Sequence, residues 1–72
     1  MIFITVTDKS NNVHRINVAH ISNYKNAFQK GGEFVQAIIN VPGSGIGEYG
    51  EDKLVVNHTA EELDKMIEGV SE

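Results

Sequence analysis

Eight residues, Gly43-Ser44-Gly45-Ile46-Gly47-Glu48-Tyr49-Gly50, hold the side chains and glycines most able to do chemistry in this chain. Gly45 to Gly50 formally matches G-x-G-x-x-G, in which glycines let the backbone approach a pyrophosphate at a helix N-terminus. The residues that follow, Lys53-Leu54-Val55-Val56, read as a strand, so no helix dipole points at a phosphate and no βαβ unit fits. What the spacing leaves is a loop in which Gly43, Ser44, Gly45 and Gly47 offer backbone N–H groups and Tyr49 offers a stacking face. The plainer alternative is a hairpin loop with no ligand. Arg15, Tyr24 and Lys25 complete the candidate ligand-binding set, provided the fold brings them near the loop; otherwise the cations serve solubility.

Other chemistry is poorly supported. His14, His20 and His58 include no pair at the i,i+4 spacing of a helical metal site, and no cysteine joins them. No metal site and no cofactor is expected. Ser44 lies in G-S-G and lacks the G-x-S-x-G pattern of a nucleophile elbow. Glu61, Glu62, Asp64 and Glu68 fall together on one predicted helix as a solvated face. The residues therefore predict a protein that is not an enzyme.

Seventy-two residues make a single domain, 1–72. A chain of that size buries only about 60% of the surface its unfolded form exposes, so a partner subunit would add stability and a homo-oligomer is expected. Without cysteine the core has no disulfide. The net charge of −4 and the lack of a basic run give phosphate backbones little to grip, which disfavours nucleic acid as a partner. Met1 to Val6 is apolar but far shorter than a signal-peptide core or a membrane span, and it carries no basic leader. A cytoplasmic protein with no membrane partner is the expectation.

The elements that would position these residues follow from periodicity. Ile2, Ile4 and Val6 alternate with Phe3, Thr5 and Thr7 as a first strand, and Asp8 to Asn12 is turn chemistry. Val13 to Val18 forms a second strand with His14, Ile16 and Val18 on one face. Ala19 to Gln29 fits either a helix face through Ile21, Tyr24 and Phe28 or a bent strand, with the strand slightly favoured. After a tight turn at Lys30 to Glu33, Phe34 to Val41 is apolar on both faces, which calls for one face in the core and the other against the helix or a neighbouring chain. The last strand, Lys53 to Asn57, runs into a helix opened by a capping box of Thr59 and Glu62. Leu63, Met66, Ile67 and Val70 make its apolar stripe, and Gly69 suits a left-handed helix end. His58 is placed for a staple-like contact with Leu63. The predicted fold is α+β and mostly β: a small antiparallel sheet or SH3-like partial barrel of four to five strands with one C-terminal helix.

Two segments read together, Ile4 to Ile21 and Val55 to Ile67, resemble small flagellar and swarming motility proteins of the FlbD type. The likeness lies in an opening strand, a turn, an I-N-x-x-x-I segment at Ile16-Asn17 and Ile21, and a closing strand leading to a short acidic helix. The same layout looks like the β-rich DNA-binding module of LytTR response regulators. The chain differs in carrying Gly43 to Asp52 where that family has a brief turn. In size and acidity it also resembles phage-encoded inhibitors of host pathways, by analogy only. The combined expectation is a small non-enzymatic binding protein that uses its glycine loop to hold an anionic, nucleotide-like molecule or a host protein. A viral inhibitor sequestering a defence signal would be one instance. The alternatives are a motility accessory protein acting through protein contacts and a LytTR-like DNA-binding regulator.

Overall fold

The computed structural model describes residues 2–70. Their elements are β1 (Phe3–Thr7), β2 (Val13–Asn17), a 3₁₀ turn (Val18–His20), β3 (Asn23–Lys30), β4 (Glu33–Asn40), β5 (Lys53–Val56) and α1 (Ala60–Val70). β1 and β2 form one antiparallel hairpin, and β3, β4 and β5 form an antiparallel sheet in that order. An isolated bridge between Asp8 and Val56 joins the two sheets. Backbone hydrogen bonds from Asn57 to Thr7 at 2.8 Å and from Lys9 to Val55 at 3.2 Å flank that bridge. The predicted architecture, mostly antiparallel β with one C-terminal helix, is the architecture found.

Period-2 alternation explains which side of each strand faces inward. Ile4, Val6 and Ile16 from the first sheet meet Ala37, Ile39, Leu54 and Val56 from the second, with Val41 and Leu63 closing the core. The ambiguous segment resolves into the 3₁₀ turn and then β3. Val18 therefore leaves the second strand one residue earlier than the pattern suggests, and Asn17 caps the turn by accepting from Ala19 N–H. Register explains the two-faced apolar character of β4. Ala37 and Ile39 point into the core opposite Asn26 and Tyr24, while Ile38 lies on the outer face between Lys25 and Val55. α1 lies against β1 and β3, so the outer face is not covered by the helix.

Two turns show why their residues were chosen. Gly31 and Gly32 have φ of 62° and 85°, the double positive φ of a tight hairpin link that a side chain would strain. Asp8 Oδ1 accepts from Ser10 and Asn12 N–H at 2.8 and 2.9 Å, and Asn11 takes a positive φ of 64°. At the other end of the chain, Glu62 N–H donates to Thr59 Oγ1 at 3.3 Å, as a capping box requires. The return contact differs: the Glu62 carboxylate meets the Thr59 hydroxyl at 3.5 Å instead of the Thr59 N–H. Asn26 Oδ1 accepts from Ala60 N–H at 2.7 Å, so a residue of β3 satisfies a further orphan donor of the helix start. Gly69 lies within the helix, which runs to Val70, and does not take a positive φ itself. His58 Nε2 accepts from Thr7 N–H at 3.1 Å, which ties the strand end to the helix start.

Candidate functional site

The glycine loop between β4 and β5 is laced by its own acids. Asp52 Oδ2 accepts from Gly43 N–H at 3.0 Å and Asp52 Oδ1 from Gly45 N–H at 2.9 Å. These two donors hold the Asp52 carboxyl below its ordinary range, since both favour the ionised form. Gly47 N–H donates to the Glu51 carbonyl at 2.7 Å, and Ser44 N–H to the Val41 carbonyl at 3.3 Å. The four N–H groups that the sequence offers to an outside anion are thus engaged within the loop. Gly43 and Gly45 adopt φ of 76° and 60° to make this possible. A small nest of N–H donors exists, and a carboxylate of the chain already fills it.

The other candidate residues spread over the surface. Arg15, on β2, places its guanidinium 5.5 Å from the centroid of the Phe3 ring. Tyr24, on the inner side of β3, donates its hydroxyl to Asp64 of α1. That bond, together with partial desolvation, pushes the phenol up to about 12. Its place is the joint between sheet and helix. Tyr49 stands at the loop tip, 86% exposed, and Lys25 stands on the outer sheet face.

Two depressions give the outer surface its relief. The larger, about 270 Å³, lies between the Asp8–Asn12 turn, the loop tip and β5, with Asp8, Lys9, His14, Glu48, Tyr49 and Lys53 among its walls. Here His14 Nε2–H donates to Asp8 Oδ2 at 2.8 Å. That bond, with the Asn12 and Ser10 backbone N–H groups, holds the Asp8 carboxyl down at about 2. Lys9 Nζ pairs with Glu48 at 3.3 Å across the mouth. The smaller depression, about 200 Å³, is formed by Asn23, Lys25, Ile38, Asn40 and Lys53. Register puts these five side chains on one face: Asn23, Asn40 and Lys53 in one cross-strand row, Lys25 and Ile38 in the next. Lys53 belongs to both depressions.

Comparison with protein-family models, with curated proteins and with solved structures finds no match.

Of the residues singled out from the sequence, Tyr49 and Lys25 therefore line depressions that meet at Lys53. Gly43, Ser44, Gly45, Gly47, Arg15 and Tyr24 line neither. Lys53, Asn23 and Asn40 were missed. In the sequence Lys53 is simply the first residue of the last strand, and only the β3–β4–β5 register reveals that it shares a face with Lys25. The Asp8–His14 pair has a signal in hindsight, because six residues across a tight hairpin turn return the chain to the same side. Among the described residues no group of three His, Asp or Glu side chains is disposed to hold a metal ion. Among them, too, no helix is long and apolar enough to cross a membrane.

Proposed function

We propose that this chain is a non-enzymatic binding protein that holds a small anionic ligand on the outer face of the β3–β4–β5 sheet. The observation that carries the reading is the pair Lys25 and Lys53. Both lie on one face, neither has a carboxylate partner among the described residues, and the carboxamides of Asn23 and Asn40 sit beside them. Two strand spacings across and one two-residue step along separate them, about 12 Å, so two long side chains can converge on one anion beside Ile38. In a protein of net charge −4 an acid-free patch with two lysines is where an anion is repelled least. Polyanions fit worse, because each further phosphate would meet the acidic surroundings without a cation to offset it.

The test is titration with inorganic pyrophosphate followed by melting temperature and calorimetry. Saturable binding that stabilises the fold is expected, reaching about 2.7 kcal/mol at a hundredfold excess over Kd. Replacing both Lys25 and Lys53 by alanine should abolish it. Wild-type protein unaffected by pyrophosphate would defeat the proposal.

A second reading concerns copies of the chain. Along β4, β5 covers Ala37 to Asn40, so the rest of the β3–β4 hairpin extends beyond it as an arm. Phe28, Phe34 and Val35 on that arm are 48%, 43% and 41% exposed. Their free apolar area is on the order of 250 Å² per copy, against about 800 Å² per partner in a stable pair. Self-association through this arm is accordingly weak and rises with concentration.

A further inference from the structure

We infer that the anionic ligand is a nucleoside monophosphate, seated with its phosphate at Lys25 and Lys53 and its base against Tyr49. This rests on the anion site proposed above and adds the second half of the ligand. The two depressions share Lys53 as a common wall, so a ligand held at Lys53 can reach from one into the other, and the two ends it meets differ chemically. One end holds Lys25, Lys53 and two carboxamides and no acid. The other holds three carboxylates, Asp8, Glu48 and Glu51, against the cations Lys9 and Lys53. A phosphate is repelled from that second end, and a neutral group is not.

The second end also has what a planar heterocycle needs. Tyr49 is 86% exposed, and no side-chain partner among the described residues holds its ring or hydroxyl. The loop fixes its backbone: Tyr49 N–H donates to Glu51 Oε2 at 3.1 Å, and Gly50 N–H to the Gly47 carbonyl at 3.0 Å. An aromatic face on an anchored backbone stacks a base at small entropic cost. In the same depression, the hydroxyl of Ser10, the carboxamide of Asn12 and the imidazole of His14 supply polar groups for the base edge. Since His14 donates Nε2–H to Asp8, its Nδ1 is left as an acceptor while the ring is neutral. Charge thus decides the direction in which the ligand lies. Together the depressions amount to roughly the lower end of the volume range of small-molecule sites.

The experiment compares inorganic phosphate, ribose 5-phosphate, adenosine, adenosine monophosphate and a short oligoadenylate by calorimetry on the full chain. Adenosine monophosphate should bind at least fivefold more tightly than ribose 5-phosphate, the low end of stacking on one aromatic face. Tyr49→Ala should erase that difference and leave ribose 5-phosphate binding as it was; the exposed ring makes this a variant that folds. Lys53→Ala should weaken both phosphates tenfold or more. Equal binding of adenosine monophosphate and ribose 5-phosphate would overturn the nucleotide inference while leaving the anion site standing. A preference that survives Tyr49→Ala would overturn it too, as would adenosine binding as well as its phosphate. Tighter binding of the oligoadenylate would replace the mononucleotide by a nucleic acid strand. No binding of any phosphate would remove both readings together.

Discussion

Asp8 shows how one side chain can join several parts of a small fold. Its carboxylate accepts from Ser10, Asn12 and His14, while its backbone carbonyl accepts from Asn57 Nδ2 at 2.8 Å and its backbone bridges to Val56. The carboxyl is held at about 2, below the 3.8 of the unfolded chain. A depressed folded value means that the stabilisation is present above about 3.8 and fades as pH falls towards 2. Asp8→Asn is expected to lower the melting temperature at pH 7 and to flatten its fall between pH 4 and pH 2, as a pH series of thermal melts would show. Tyr24 behaves oppositely: its raised value predicts that the Asp64 contact weakens between pH 10 and pH 12. Tyr24→Phe should cost about 0.5–1.5 kcal/mol in denaturant unfolding near neutrality, and its loss of stability from pH 10 upward should be smaller than that of the wild type. Single residues were the least legible scale in the sequence. Asp8 reads there as a turn residue, and its partners His14 and Asn57 appear only once the strands are paired.

The elements were more legible because their signals are periodic. Strand alternation identifies Ile4, Val6, Ala37 and Ile39 as core, and the Thr59–Glu62 spacing marks the start of α1. Where periodicity competes, legibility stops. Ile21, Tyr24 and Phe28 match a helix face, yet β3 forms because pairing with β4 satisfies its backbone and half-buries Tyr24 beside Ile39. The twin irregularities at Asn26/Phe28 and Phe28/Gln29 are register events with no local sequence mark. The joint between β1 and α1 is likewise a long-range product. His58 Nε2 satisfies a backbone donor that would otherwise be buried in part, so His58→Ala should destabilise by about 1–3 kcal/mol, measured by urea unfolding. His58→Gln, whose carbonyl can accept from the same N–H, should recover part of that loss. At the loop, Gly45 has φ of 60°, so Gly45→Ala is expected to cost about 1–2 kcal/mol through backbone strain.

At the scale of the molecule, two small sheets joined around the Asp8–Val56 bridge form, with one helix, a core of nine buried apolar residues among those described. The composition announced this economy, since a short chain with no cysteine has little else to hold it together. The arm bearing Phe28, Phe34 and Val35 predicts weak self-association: sedimentation velocity should show a sedimentation coefficient that rises with concentration, and Phe34→Ser should suppress the rise. An unchanging monomer across the range would reject that contact. The anion site could not be read from the chain because it is a property of register: Lys25 and Lys53 are far apart in sequence and share a face only through β4. The most direct test is therefore a calorimetric titration of pyrophosphate into wild-type protein and into the Lys25→Ala/Lys53→Ala variant, with both confirmed folded by their melting curves. The account predicts saturable binding to the first and none to the second; no binding to either, or equal binding to both, would contradict it.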